Sequence, residues 1–431
     1  MLHNERECRG CREYQELSRR GFLGTAGAAT LTAFATPAWL PRISLAGSFQ
    51  TRDTLVVVFL RGGMDGLTSI VPYGDPNYNQ ALRPTLWVPP PGGANTAVDL
   101  DGFFGLAPAM GSLLPAYQSG QLLAIHATGS PDPNRSHFDS NKIMEYGTPL
   151  QEQILFTGWL ARHLQTMPPM GTGPLRAVAF NDLIPIMLVG APATVPIPDP
   201  VEFGFPGSVA TAAARRAVVD ATYGVAPEPL AGTALSTTAT IDLLATIDFE
   251  NYTPSGGAVY PATPFGDALK SAAALIKADV GVEAATIDKG GWDTHNQQGV
   301  FAGDMFTLMT DLANGLAAFH TDMQSHMDSM TAMVMSEFGR RVDENGSFGT
   351  DHGHGNAMLL MGGHVNGGQV MANWTGGQLL HPDNLYAGDS LDVTTDYRDV
   401  VAEVVSKRLN NPDVNSLFPN YTPTFQGVAT V

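Results

Sequence analysis

Cysteine and positive charge are the two things this sequence has little of. Its 431 residues include only two cysteines, Cys8 and Cys11, and both lie within the first dozen positions. We interpret that Cys-x-x-Cys pair as part of a removable leader, so the remaining chain has no thiol for a disulfide, a metal or a nucleophilic role. The formal net charge is −18. Such a chain repels nucleic acid and anionic membrane surfaces, and neither is expected as a partner, whereas cations are attracted.

The first residues show the pattern of an export signal rather than of a membrane span. Arg19 and Arg20 precede Gly-Phe-Leu and a mild run rich in Ala, Gly and Thr, which is too short and too weakly apolar for a confident transmembrane helix. This matches a twin-arginine signal. We therefore predict a signal peptide over residues 1–46, recognition by the twin-arginine export machinery, and a periplasmic or extracellular protein. Cleavage is predicted after either Ala38 or Ala46.

The remaining residues, 47–431, predict a single α/β domain with loop and helical insertions at 72–103 and 190–264. The first strand, Leu55–Leu60, is a continuous apolar run, which is typical of a central parallel strand buried on both faces. Further strands are predicted at 121–129, 175–181, 184–188, 282–288, 332–340 and 356–363. Helices are predicted between them, including a short one over 135–147 that Asn134 or Ser136 would cap, a long one over 301–328 and a closing one over 395–409 with a threonine cap. Alternating strands and helices indicate a mostly parallel central sheet.

Metal-type side chains follow four of the apolar strands or strand loops. They are Asp65 in GGMDG, Asp293 and His295 in GGWDTH, Glu337 in SEFGR, and Asp351, His352 and His354 in TDHGHG. Ligands in open α/β sheets bind at the carboxyl ends of strands, so these side chains are expected at one edge. Four carboxylates and three imidazoles are enough for two metal sites about 4 Å apart. Carboxylates with imidazoles suit Zn, Mn or Fe, and carboxylates alone suit Mg or Ca.

Several of these residues also have a structural interpretation. Asp65 can serve as a loop or cap residue, Glu337 can pair with Arg340 or Arg341, and Ser136 can be a plain helix cap. Three further histidines, His126, His320 and His326, lie on a predicted strand or helix face, and we interpret them as structural.

The chain resembles a twin-arginine-exported bacterial family of unknown function within the alkaline phosphatase and sulfatase superfamily. The resemblance lies in SRRGFL, VFLRGGMDGLTSIVPYGDPNY, RSHFDS, GGWDTH, SEFGR, TDHGHG, GGHVNGG and TTDYRDV, which span residues 18 to 400. It implies an alkaline-phosphatase-like three-layer sandwich that holds two divalent metals, with Zn, Mn, Mg or Ca as the candidates. It also implies roles for single residues: Asp65, Asp293, His295, Asp351 and His352 as metal ligands, His354 or His364 as the last ligand, and Ser136 as nucleophile.

Two features depart from the superfamily pattern. One residue separates Asp293 from His295, where the superfamily usually has three. Asp351 follows the end of the predicted strand 332–340 by eleven positions, and Glu337 lies within that strand's end. Either Glu337 has become the ligand, or the loop 341–350 folds back to deliver Asp351.

The resemblance and the candidate ligands together predict a metal-dependent hydrolase of phosphate or sulfate esters, with a small-molecule or glycan ester as substrate. Ser136 would attack the phosphorus or sulfur, and Arg135 or Arg340 would bind its oxygens through a forked contact. The alternatives are a non-catalytic, metal-bearing binding protein of the cell envelope and a transferase of a phosphate-bearing head group. The chain lacks the Cys-x-Pro-x-Arg motif, which argues against a formylglycine sulfatase.

Overall fold

The protein is described here from a computed structural model, which covers residues 52–150, 155–205 and 207–431. The predicted signal peptide, with Arg19, Arg20 and both cysteines, lies outside the described residues and stays a prediction. In the described residues, no helix combines the length and the apolar character that crossing a bilayer requires.

Twelve strands form two sheets in the part of the chain that is described. In chain order they are β1 Thr54–Leu60, β2 Ile70–Val71, β3 Val98–Asp99, β4 Gly105–Leu106, β5 Leu122–Gly129, β6 Ala177–Ala179, β7 Thr194–Pro196, β8 Ala284–Lys289, β9 Met330–Ser336, β10 Asn356–Gly362, β11 Gln369–Met371 and β12 Thr395–Asp396. The large sheet has nine strands in the order β11-β5-β10-β9-β1-β8-β6-β7, and β12 pairs with the end of β5. Strands β2, β4 and β3 form the small sheet.

The direction of one strand explains where the functional loops meet. Within the large sheet, β10 runs antiparallel to both of its neighbours, β5 and β9, and the other described pairs are parallel. The carboxyl ends of β1, β5, β8 and β9 therefore lie at the same edge, and β10 begins at that edge. The connection from β9 to β10, residues 337–355, stays there throughout. This confirms the predicted α/β architecture with a mostly parallel central sheet.

Helices cover both faces of the large sheet and complete the three-layer sandwich. They are α1 Gly66–Ser69, α2 Leu114–Gln118, α3 His137–Tyr146, α4 Trp159–Thr166, α5 Ala212–Tyr223, α6 Leu230–Leu244, α7 Pro264–Lys277, α8 Asp304–Asp322 and α9 Tyr397–Lys407. Alternate residues of β1 point into opposite cores, as the period of a strand requires. Val56 and Val58 pack on the side of α7 and α8, whereas Leu55 and Val57 pack on the side of α4 and α9.

Two predicted local features differ from the structure. Residues 184–188 are not a strand: Ile186–Leu188 form a single 3₁₀ turn after Pro185, whose ring nitrogen has no hydrogen to give to a sheet. The closing helix α9 is capped by Asp396, whose carboxylate accepts from the Arg398 amide, and not by a threonine. Thr395 instead lies in β12, where it pairs with Thr128 of β5.

We predict that Gly62→Ala disturbs the edge of the sheet. Gly62 has φ +118°, and a Cβ there would lie 2.5 Å from the backbone nitrogen of Asp293, so the loops after β1 and β8 would have to separate. The free energy of unfolding should fall by about 1–3 kcal/mol, as measured by urea denaturation. Gly290→Ala is the control, because a Cβ at Gly290 meets no atom within 4 Å. Equal stability of the two variants would contradict this close contact.

Candidate metal centre

Three imidazoles point their Nε2 atoms at one carboxylate oxygen. The Nε2 atoms of His137, His295 and His352 lie 3.3, 3.0 and 3.1 Å from Oδ1 of Asp293. The Nε2 atoms of His295 and His352 are 2.9 Å apart. In a tetrahedral zinc site with bonds of about 2.0–2.1 Å, neighbouring ligand atoms are about 3.3 Å apart. The spacing of this cluster, which we call the Asp293 cluster, is therefore close to that of a metal's first coordination sphere.

The topology of the sheet brings these four side chains together. Asp293 and His295 follow β8, and His137 is the first residue of α3, which follows β5. His352 lies between β9 and β10, where it forms an isolated antiparallel bridge with Arg340. All of these segments leave or enter the sheet at the edge where β10 begins. The antiparallel direction of β10 therefore settles the question of the loop: it folds back and delivers Asp351 and His352.

Hydrogen bonds fix the orientation of two of the imidazoles. Nδ1 of His352 lies 2.8 Å from the carbonyl oxygen of Arg135. A carbonyl oxygen can only accept, so this Nδ1 carries a hydrogen. Nδ1 of His137 lies 2.7 Å from Oε1 of Glu337, whose pKa is lowered because the interaction with His137 outweighs burial. In a neutral ring with a hydrogen on Nδ1, the lone pair is on Nε2, and in both rings Nε2 faces the Asp293 cluster.

The third imidazole, that of His295, also has a partner at its Nδ1, the more exposed carboxylate of Asp351. Nδ1 of His295 lies 3.3 Å from Oδ1 of Asp351, and that same oxygen accepts from Nδ2 of Asn345 at 3.0 Å. The Asn345 amide also donates to the carbonyl oxygen of His295 at 2.9 Å. Acceptors on the far nitrogen of ligating histidines are the usual second layer of a metal site, since they fix the tautomer and the direction of the ring.

The innermost imidazole, His137, is left with an unsatisfied buried atom. Its Nε2 is buried and lies 3.3 Å from Oδ1 of Asp293, within ion-pair distance but without the geometry of a good hydrogen bond. Burial opposes a charge on His137, but the carboxylates of Asp293 and Glu337 outweigh it and raise its pKa to about 9. In the metal-free protein the ring holds a proton, and a divalent cation would occupy the same electrostatic position. The donor set of imidazole nitrogens and a carboxylate oxygen fits Zn, Mn or Fe.

A fully buried arginine holds the carboxylate at the centre of the cluster. Nη2 of Arg340 donates to Oδ1 of Asp293 at 2.8 Å, and Nε donates to the carbonyl oxygen of Gly63 at 2.6 Å. Its other contacts are with the carbonyl oxygens of Thr350, Trp292 and Gly62. Each of its three nitrogens is thus bound to the protein. Arg340 thus joins three loops and orients Asp293, and its predicted role in binding substrate oxygens stays a prediction.

Asp65 belongs to a separate buried network. It caps α1, and its Oδ2 accepts from Arg83 at 2.6 Å, Thr68 at 2.7 Å and Gln298 at 2.7 Å. Burial alone would raise its pKa, but the charge and hydrogen bond of Arg83 lower it. Since protein donors satisfy this carboxylate, the structure supports the structural interpretation of Asp65, not its predicted role as a metal ligand.

The other predicted ligands do not belong to the Asp293 cluster. Glu337 and Asp351 contact the outer nitrogens of His137 and His295 and do not face the centre of the cluster. His354 stacks on Tyr386, with ring centroids 3.8 Å apart, and burial lowers its pKa to about 4. The alternative, His364, follows the end of β10 and so lies at the opposite edge of the sheet.

The predicted nucleophile and its neighbouring arginine lie beside the cluster. Ser136 is the N-cap residue of α3, next to His137, and its side chain makes no cap hydrogen bond. Arg135 forms a forked ion pair with Asp389 at 2.8 and 3.2 Å. His137 was the functional residue that the sequence interpretation missed, although it stands in the RSHFDS motif. The available signal was its place directly after Ser136, the predicted N-cap of the short helix that follows β5.

The chain belongs to a family of proteins of unknown function, DUF1501, whose model matches residues 94–409. The family membership predicted from the motifs is confirmed. A comparison with curated proteins finds no match.

Several solved structures match most of the chain at low sequence identity. A protein of the alkaline phosphatase superfamily from Vibrio parahaemolyticus is 11% identical, with a TM-score of 0.35, over 83% of this chain and 72% of that one. A phosphonate monoester hydrolase of Agrobacterium radiobacter is 11% identical, with a TM-score of 0.32, over 87% and 79%. The C-terminal periplasmic domain of EcEptC from Escherichia coli, in complex with Zn, is 9% identical, with a TM-score of 0.30, over 75% and 77%.

We predict that the metal-free protein loses stability as the pH rises from about 6.5 to about 9. The pKa of His137 is about 9 in the folded protein and 6.5 ordinarily, so the folded state binds this proton more tightly. The resulting stabilisation is complete below pH 6.5 and is lost as the pH passes 9; it amounts to about 3 kcal/mol. Urea denaturation of chelator-treated protein across this range measures it. His137→Gln should remove this part of the pH dependence, and an unchanged dependence in that variant would contradict the assignment.

Proposed function

We propose that this protein is an exported hydrolase of phosphate or sulfate esters that uses a divalent metal held by His137, Asp293, His295 and His352. The observation that carries the proposal is the convergence of three imidazole Nε2 atoms on Asp293, with an acceptor at the outer nitrogen of each ring. Within the described residues, one group of this kind is found, formed by His137, Asp293 and His352, and we assign His295 as its fourth member. The proposal is therefore for one metal rather than the two that the resemblance implies.

The residues around the cluster have distinct tasks in this mechanism. A divalent metal in this position would lower the pKa of a nearby hydroxyl and stabilise negative charge on the ester oxygens. Glu337 and the Arg135 carbonyl hold two of the imidazoles in the ligating tautomer, and Arg340 holds the carboxylate.

Ser136 remains our candidate nucleophile. It is adjacent to His137 in the chain, and in the described structure no hydrogen bond commits its hydroxyl to the protein. Its hydroxyl proton would pass to solvent as its oxygen forms a bond to phosphorus or sulfur. The bond to the leaving oxygen breaks, and that oxygen takes up a proton from water to leave as the alcohol. Water would then release phosphate or sulfate and restore the serine.

Two arginines beside His352 support an anionic substrate. Arg135 and Arg341 share the carboxylate of Asp389, at 2.8 Å and 3.2 Å, so one positive charge of the trio is in excess. The side chain of Arg341 is 43% exposed. Guanidinium groups bind the paired oxygens of phosphate and sulfate through forked hydrogen bonds. We therefore assign the binding of the substrate anion to Arg135, as predicted, and to Arg341 in place of Arg340.

The metal assignment is tested with two neighbouring histidines. His352→Gln removes one of the convergent nitrogens and should reduce the bound metal to background after dialysis against micromolar Zn or Mn, as measured by elemental analysis. His354→Gln is the matched control, because this buried imidazole lies two positions away and stacks on Tyr386 instead. It should retain the metal. A wild-type protein without bound metal, or equal metal in both variants, would refute the site.

The nucleophile is tested with Ser136→Ala. We expect the loss of turnover of aryl phosphate and aryl sulfate esters by roughly a thousandfold or more, with metal content unchanged. Ser130→Ala in the same loop is the control and should remain active. Unchanged turnover in Ser136→Ala would leave water as the attacking group. A metal-loaded wild-type protein that cleaves no ester with or without chelator would favour the alternative, a metal-bearing binding protein of the envelope.

A further inference from the structure

An aromatic side chain stands exposed on the loop that delivers His352. Phe348 is 56% exposed, and its backbone has a φ of +62°. Left-handed backbone is rare for bulky residues, because the side chain then lies too close to the backbone carbonyl oxygen. Glycine adopts it freely, and the neighbouring positions Gly346 and Gly349 show that this loop accommodates glycine.

The loop is held firmly against the segment that carries His295. The Oδ1 atom of Asn345 accepts from the amides of Ser347 and Gly349 at 2.9 and 3.1 Å. The backbone oxygens of Ser347 and Phe348 accept from the amides of Gln297 and Gln298 at 2.8 and 2.9 Å.

The same loop also contacts the metal cluster. A Cβ on Gly349 would lie 2.3 Å from the backbone carbon of His295, so the two segments touch. Nδ2 of Asn345 reaches both His295 and Asp351. The backbone of Phe348 is therefore fixed beside the segment that carries His295.

Packing within the protein does not account for the Phe348 ring. Among the described aromatic side chains, none stacks on it, and more than half of its surface is in water. An isolated exposed phenylalanine is ordinary on a protein surface. One that is held in strained backbone, on a loop tied to a cluster of metal-type ligands, needs a further reason, and such strain concentrates at functional sites.

We propose that Phe348 is a stacking platform for a ring in the alcohol part of the ester. This inference rests on the proposed function and narrows its substrates to esters of ring-bearing alcohols. The face of a phenyl ring binds either an aryl ring or the apolar face of a sugar, so both sources share this chemistry. The ring would lie on Phe348 while the phosphate or sulfate faces the cluster and the excess charge of Arg135 and Arg341.

Binding of uncleaved ligands to the metal-loaded protein tests the platform without relying on turnover. By calorimetry, the wild-type protein should bind phenylphosphonate about tenfold more tightly than methylphosphonate, which has no ring. Phe348→Ala should abolish most of that difference, and Phe348→Tyr should restore it. Phe425→Ala is the control, because Phe425 is a partly exposed phenylalanine in the C-terminal segment, outside the loops that form the cluster.

The outcomes separate this inference from the proposed function. Equal binding of the two phosphonates, with Phe348→Ala indistinguishable from the wild type, overturns the platform and leaves the ester site standing. Binding of neither phosphonate by metal-loaded protein overturns the proposed function and the platform with it. If the Phe348-dependent gain is found, a comparison of phenylphosphonate with a sugar phosphate identifies the ring as aryl or glycan.

Discussion

The contact between Arg340 and Asp293 is the constraint on which the rest of the site depends. Three imidazole nitrogens surround Oδ1 of Asp293, and the buried guanidinium of Arg340 fixes the position of this oxygen by a hydrogen bond. The same guanidinium binds backbone carbonyls in the loops after β1, after β8 and before β10. One side chain thus sets both the place of the central ligand and the distances between the loops that carry the others. Replacing Arg340 would lower the free energy of unfolding, because each buried carbonyl oxygen that it binds would lose its hydrogen-bond donor.

The sheet determines which loops are available to that arginine. In an all-parallel sheet, a strand after β9 would begin at the far edge, and the residues just before it would lie far from Asp293. Because β10 is antiparallel, the chain stays at one edge of the sheet from Glu337 to Asn356. The glycines of TDHGHG let the backbone pass close to Arg340. A Cβ on Gly353 would lie 2.3 Å from the Arg340 carbonyl carbon. The glycine-rich spacing of this motif thus reflects close backbone approach.

Much of this was visible in the sequence, and what was not has a physical explanation. Strand-end placement indicated that Asp293 and His295 lie at the sheet edge, because an apolar run followed by glycines precedes them. His352 was singled out by the TDHGHG motif, and its arrival at the same edge depends on the antiparallel direction of β10. The partners of Asp65 and Arg340 could not be predicted in this way. Arg83, which binds Asp65, is held by the carbonyl oxygens of residues 341 and 342, far away in the chain. Arg340 likewise binds mainly backbone carbonyl oxygens, and every residue has one, so the sequence does not indicate which of them it binds. His137 was overlooked because the adjacent serine offered a more familiar chemistry. The export signal lies outside the described residues and stays a prediction.

The order of the four side chains along the chain has a consequence for biosynthesis. The first donor is at position 137 and the last at 352, and the last reaches the centre only when β10 has entered between β5 and β9. A nascent chain that still lacks its final quarter also lacks His352, so it cannot assemble the complete Asp293 cluster. If the proposed metal binds, its loading would follow the closing of the sheet, and an occupied site would be found only in a chain whose sheet is complete.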